Sequence, residues 1–217
     1  MIVITGASDG LGLQVAKLYK EAGKTVVNIS RRECEYADVN ICHSLREGDE
    51  IGKIASEVLA IDEPMEALIN SAGVISVSSI KDITEDEIKR MMSTNIKGKV
   101  LLIAKLYDRI VADQTDIVNV SSTLGHKAYE DQMLYGVTTW GVRGISKNLQ
   151  LEFKDKPNRV ISFCPGGFRT QLHEKATGKK IENPEEWMRV ADVALALKQT
   201  LDLPKNMEVS EIVINRK

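Results

Sequence analysis

The chain of 217 residues is poor in several features that would point to other protein classes. It has three cysteines, Cys34, Cys42 and Cys164, scattered and odd in number. They form neither a disulfide framework nor metal-ligand spacing and read as free thiols of a reducing compartment. The three histidines, His43, His126 and His173, make no paired motif, so no metal is expected. No basic run stands out and the formal net charge is −2, which argues against nucleic acid as a partner. No apolar stretch approaches the ~20 residues of a membrane span. The first strand starts at Met1, leaving no room for a targeting peptide, and the expected location is cytoplasmic. Aromatics are only 5% of residues, and no repeat or low-complexity tract occurs. Hydrophobic residues nevertheless reach 43%, enough for one sizeable core and too little for two domains, so residues 1–217 are expected to form a single domain.

What is present is an alternation of short apolar runs with amphipathic segments. Strands are expected at Met1–Ile4, Thr25–Ser30, Tyr36–Val39, Met65–Asn70, Asp116–Val120, Arg159–Phe163 and Ser210–Ile214. Helices are expected from Leu11, through Ile51 to Leu59, from Thr84 (an N-cap with Glu87 three residues on) to about Val111, and through Tyr135 to Phe153. Residues 168 to 183 read as polar and irregular, and Pro184 as the first turn of a helix through Leu197. Alternation of this kind gives an α/β fold, a Rossmann-like doubly wound parallel sheet of about seven strands with helices on both faces. Ligands of such sheets lie beyond the carboxyl ends of the strands.

The first of those ends is Thr5-Gly6-Ala7-Ser8-Asp9-Gly10-Leu11-Gly12. A strand, a glycine turn and a helix start in that order form a phosphate cradle, because glycine allows close backbone approach and the helix points free N–H groups at an anion. The second strand ends at Ser30, where a ribose-binding acid often stands, and Arg31 and Arg32 follow. Guanidinium groups grip a 2′-phosphate that a carboxylate would repel, so NADP(H) is expected over NAD(H).

With these residues in place the chain resembles the short-chain dehydrogenase/reductase family over nearly its whole length. The loop from Thr5 to Gly12 is similar to the family's glycine motif. Asp38-Val39 resembles its adenine-contacting pair, and Asn70-Ser71-Ala72-Gly73 its sheet-stabilising Asn-Asn-Ala-Gly motif with Ser71 in place of an Asn. Asn95 matches the helix Asn of the catalytic group. Ser122 matches the catalytic Ser, and Tyr135, thirteen residues later, the catalytic Tyr. Pro165-Gly166-Gly167-Phe168-Arg169-Thr170 resembles the segment beside the nicotinamide. The resemblance implies an NADP(H)-dependent oxidoreductase that interconverts a small carbonyl compound and its alcohol. The expected cofactor contacts are Gly6, Ser8, Asp9, Gly10, Leu11, Gly12, Ser30, Arg31, Arg32, Asp38, Val39, Asn70, Ala72, Gly73, Pro165, Gly166 and Thr170. The resemblance also implies a homodimer or homotetramer paired through the helices around residues 84–111 and 132–154.

Two departures from the family stand out. Only six residues separate Arg32 from Val39, so the usual helix between the second and third strands is expected to be absent. The family's Tyr is followed four residues later by a Lys, and here that position is Thr139. A phenol titrates near ~10 and is poorly matched to neutral-pH proton transfer. A cation one helical turn away lowers that value, and Thr139 has no charge. Arg143 and Lys147 follow on the same side, but lie ~12 and ~18 Å away along the axis. His126 and Lys127 follow Ser122 in a loop. The alternative function is a non-catalytic nucleotide-binding protein. Trp140 and Trp187 are expected to be packing residues.

Overall fold

The computed structural model describes all 217 residues. Seven parallel strands form one sheet in the order β3-β2-β1-β4-β5-β6-β7. They are β1 (Ile2–Thr5), β2 (Val26–Ile29), β3 (Val39–Ile41), β4 (Ala67–Asn70), β5 (Asp116–Val120), β6 (Val160–Pro165) and β7 (Glu211–Ile214). The central strands are apolar on both faces, as parallel strands covered on both sides must be. Val3, Val27, Leu68, Ile117 and Val160 face one way. Ile2, Ile4, Ala67, Ile69, Val118, Ile161 and Phe163 face the other.

Each set meets its own helices. The first packs on α2 (Gly48–Leu59), α4 (Gly98–Lys105) and α5 (Tyr107–Ala112), through Ile51, Ile54, Val58, Leu102 and Ile110. The second packs on α1 (Gly10–Glu21) and α8 (Val190–Leu201), through Leu11, Val15, Val193 and Leu197. The switch in strand order lies between β1 and β4. The carboxyl ends of these two strands therefore flank a crevice, and the glycine loop stands at its mouth.

No helix separates β2 from β3. The link is too short for a crossover helix, and side chains hold it instead. Asn28 Nδ2 donates to Arg32 O at 3.0 Å and to Asn40 Oδ1 at 2.8 Å, and Cys34 N donates to the same Asn40 oxygen at 2.8 Å.

Four elements differ from the sequence-based expectation. The third strand begins at Val39 instead of ending there. The long helix from Thr84 is divided into α3 (Glu85–Met92), a π-helical segment over Ser93–Lys97, α4 and α5. Thr84 does cap it, accepting from Glu87 N at 3.2 Å, but the Glu87 carboxylate turns to the hydroxyls of Ser76 and Ser78. Residues 171 to 177 form a short helix, α7 (Gln171–Thr177), capped by Thr170 and stopped by left-handed Gly178. Pro184 starts only a 3₁₀ turn, and α8 begins at Val190. The remaining long helix is α6 (Met133–Glu152). No helix is long and apolar enough to cross a membrane.

Candidate active site

The crevice is a cavity of about 780 Å³, lined from the carboxyl ends of β1, β2, β4, β5 and β6 and from α4, α6 and α7. That volume suits a ligand larger than a single ring system.

On one wall lies the glycine loop. Gly6 has φ +76°, and a Cβ there would meet Ala72 Cα at 2.9 Å. A Cβ on Gly12 would run into Gly6 O, so both glycines are needed for the loop to fold back on itself. Asp9 caps α1 by accepting from Gly10 N at 2.8 Å, and it pairs with Arg32 at 3.2 Å and with Lys175 of α7 at 2.8 Å. Burial raises the Asp9 carboxyl, and the hydrogen bonds from Lys175 and Arg32 outweigh it, leaving Asp9 below its ordinary value. Thr170 packs against the face of Gly10. Ser8, Gly10, Leu11, Ser30, Arg31, Arg32, Ala72, Gly73, Pro165, Gly166 and Thr170 all line this part of the cavity.

Arg31 carries no ion pair, and its charge is felt by Arg46. Burial, then Arg31 and Arg90, hold the Arg46 guanidinium below its ordinary value. Arg46 Nε donates to Thr94 Oγ1 at 3.3 Å and Arg90 Nη2 to Ile75 O at 3.1 Å, so neither charge is neutralised by a carboxylate. Arg31, Arg46 and Arg90 line the same cavity, which suits a ligand with more than one anionic group. An α1 amino terminus opening on the cavity fits the pyrophosphate of a dinucleotide.

Asp38 and Val39 are not part of this wall. Val39 pairs with Val27 near the amino end of the sheet, and Asp38 accepts from Val26 N at 2.9 Å and pairs with Lys20. The strand they were expected to close they instead open, which puts them at the wrong end for a ligand. His43 and Ser44, beyond the carboxyl end of β3, line the cavity in their stead.

The opposite wall carries Asn95, Ser122, Tyr135 and Thr139, brought together as the spacing implied. Asn95 lies in the π segment, where the extra residue per turn turns its side chain inward. Its Nδ2 donates to Val74 O at 2.8 Å and Thr138 Oγ1 at 3.0 Å, and its Oδ1 accepts from Val74 N at 2.8 Å. Thr138 Oγ1 donates in turn to Tyr135 O at 2.9 Å. Ser122, at the end of β5, is buried and accepts from Leu124 N at 3.2 Å. Burial pushes the Tyr135 phenol above its ordinary value, and the neighbouring Ser122 hydroxyl offsets part of that rise.

Thr139 Oγ1 donates to Gly136 O at 2.9 Å, so its hydroxyl is spent on its own helix. Arg143 is also spent: Nε and Nη2 hold Glu211 at 2.9 and 3.1 Å, and Nη1 donates to Gly125 O at 2.6 Å. Asn70 joins Asn119 and Ser146 in a buried chain (3.0 and 3.1 Å) that ties β4, β5 and α6 together, with Asn70 Oδ1 left unpartnered.

Three further lining residues outside the expected site stand out. Lys99 is the one buried ammonium of the cavity, and its signal was the i, i+4 spacing from Asn95. His173 of α7 has a buried Nδ1 without a partner. Trp187 packs at a tilt against His173, with ring centroids 5.7 Å apart, and also lines the cavity. Trp140, expected to be a packing residue, is 53% exposed.

Comparison with known proteins agrees with this fold. The sequence model of the short chain dehydrogenase family matches residues 1–181. An uncharacterized oxidoreductase of Listeria monocytogenes is 26% identical over an alignment of 235 positions, covering 99% of this chain and 95% of its own. Among solved structures, a serine dehydrogenase complexed with NADP+ superposes with a TM-score of 0.86 at 22% identity, covering 99% of this chain and 94% of its own. A 4-hydroxyisoleucine dehydrogenase complexed with NADH and succinate does so with a TM-score of 0.83 at 19% identity, covering 100% and 98%. At these identities the two structures speak for the fold alone.

Proposed function

We propose, from the premise that the chain belongs to the short-chain dehydrogenase family and is an oxidoreductase of it, that it interconverts a small carbonyl compound and its alcohol with NADP(H). The observation that carries this reading is the convergence of the glycine loop with Asn95, Ser122 and Tyr135 on one cavity. The unpaired Arg31, with Arg46 and Arg90 close by, supports the phosphorylated dinucleotide over the unphosphorylated one.

NADPH, when bound, supplies the hydride. The protein's own residues do the rest. Ser122 donates a hydrogen bond to the substrate oxygen and holds it against Tyr135. Tyr135 passes its phenolic proton to that oxygen as negative charge develops, and takes one back in the oxidising direction. Asn95, through Thr138, fixes the turn of α6 on which Tyr135 sits. Glycine-loop amides and the arginines orient the cofactor, and α7, tied to the loop by Lys175 and Asp9, covers the substrate end.

The paired state is also part of the proposal. Ile88, Met92, Val100, Met133, Val137 and Trp140 are exposed apolar side chains on α3, α4 and α6. Exposed apolar side chains on these helices fit a second copy in a homodimer or homotetramer. A cytoplasmic location is proposed from the free thiols Cys34, Cys42 and Cys164.

The test is titration with NADPH and NADH, followed by NADPH consumption at neutral pH with a panel of small ketones, aldehydes and diketones. Tighter binding of NADPH and turnover of at least one carbonyl are expected. Binding with no turnover of any carbonyl would turn the reading into that of a nucleotide-binding protein without catalysis.

A further inference from the structure

Thr139 is uncharged, and Arg143 is held by Glu211 and Gly125. The cavity still contains a buried cation. Lys99 is 2% exposed and stands in the first turn of α4, four residues after Asn95. Its Nζ donates to Asn70 O at 3.1 Å and to Ala72 O at 2.6 Å, and no carboxylate pairs with it. Burial without a counter-ion pushes the amine down to about 7. Such a group is costly to the fold, and an apolar side chain of the same length would fill the space more cheaply. Buried unpaired charges facing a cleft are characteristic of working sites.

Its two acceptors place it. Asn70 ends β4, and Ala72 is locked between Thr5 Oγ1, which accepts from Ala72 N at 3.0 Å, and Gly6, whose missing Cβ makes room for Ala72 Cα. The ammonium therefore lies where the glycine loop meets the end of β4. The same cavity is lined by Thr139, the position that lacks a charge, and by Tyr135. Only two of the three ammonium donors are used within the protein, which leaves one for an occupant of the cavity.

We infer that Lys99 is the cation of this site, supplied from the helix segment that follows Asn95 instead of from the helix that carries Tyr135. It donates to a sugar hydroxyl of the bound dinucleotide and so fixes the dinucleotide in the cavity that Tyr135 also lines. The inference rests on the dinucleotide reading of the cavity. Lys99 gives up no proton in the reduction. Hydride from NADPH forms the new C–H bond, the Tyr135 proton goes to the resulting alkoxide, and Tyr135 is reprotonated by solvent.

The test is a double-mutant cycle on Lys99→Met and Thr139→Lys, reading NADPH affinity from nicotinamide fluorescence and kcat/KM with a carbonyl that wild type reduces. Lys99→Met is expected to weaken NADPH by about tenfold and to lower kcat/KM by about a hundredfold. Thr139→Lys added to Lys99→Met restores most of both, because a lysine there shares a helix face with Tyr135. In the wild-type background Thr139→Lys does harm, lowering kcat/KM by about threefold or more, since two ammonium groups then compete for one unpaired space. A lysine that merely supported the fold would lower the melting temperature and would not be replaced by one at 139. The inference is overturned if Lys99→Met binds NADPH as wild type does, or if Thr139→Lys raises activity equally in both backgrounds. Should Lys99→Met fail to fold, the sign of the Thr139→Lys effect in wild type decides alone. Failure of wild type itself to bind NADPH falls on the dinucleotide reading and is seen before any variant is made.

Discussion

Around the glycine loop the cavity wall is backbone. Gly6 and Gly12 press against Ala72 and each other, and no side chain of another type fits either place. Around Tyr135 the wall is made of side chains, Asn95, Thr138, Ser122 and Thr139, with Asn95 tied through Thr138 to the turn that carries Tyr135. A backbone-built wall fixes which residues stand where. A side-chain wall fixes only which groups reach a point, and several positions can reach the same one. The difference explains why the loop needs glycine at two fixed positions, while a charged group can enter the cavity from more than one helix.

The largest expected effect falls on the side-chain wall. Tyr135→Phe removes the proton donor and is expected to lower kcat/KM by ~10²–10⁴-fold, with NADPH affinity nearly unchanged. Steady-state kinetics beside a binding titration checks both halves. On the backbone wall, Gly12→Ala is expected to cost about 1–3 kcal/mol of stability, since the new Cβ meets Gly6 O, and to abolish NADPH binding. Denaturant unfolding and the same titration read it. If Gly12→Ala is harmless to both, the loop is not the rigid cradle described.

Next is the cofactor's phosphate. Arg31→Ala is expected to weaken NADPH by about 10–100-fold, the loss of one charge-assisted hydrogen bond, and NADH hardly at all. Equal weakening of both would move the 2′-phosphate elsewhere, with Arg46 the first alternative.

The smallest effect lies at the edge of the cavity, where His43 meets α2. His43 holds Glu50 at 2.6 Å and Glu57 at 2.9 Å, and the Glu50 hydrogen bond raises the imidazole above its ordinary 6.5. A raised value means the folded state binds the proton more tightly. The contribution is therefore complete below 6.5 and is lost as pH climbs through the folded value above it. Melting temperatures of wild type and His43→Gln, measured from pH 5 to 9, are expected to converge at the alkaline end. A gap that widened with pH would contradict this.

The sheet was legible in the sequence because parallel strands buried on both faces read as continuous apolar runs, from Met1–Ile4 to Arg159–Phe163. The residues proposed for catalysis were legible because Ser122 follows a strand end and Tyr135 lies in the first turn of a helix, with a fixed number of residues between them. Asp38-Val39 misled because a three-residue strand gives no periodicity to mark its ends. The π segment at Ser93–Lys97 left no trace in a helical pattern that continues through it. The helix α7, at seven residues, is set by Thr170 and Gly178 at its ends more than by any apolar stripe. Lys99 was passed over because a lysine in an amphipathic helix is ordinarily on the wet side, and only the contact of α4 with the end of β4 puts it inside.

Hydride transfer is the step that separates an oxidoreductase from a protein that only binds the nucleotide. NADPH carrying deuterium at C4, incubated with wild type and a carbonyl compound of the panel, is expected to give an alcohol with one deuterium on its carbinol carbon, and none in the Tyr135→Phe protein over the same period. NADPH that binds tightly while no carbonyl takes up deuterium from either face of the nicotinamide would contradict it.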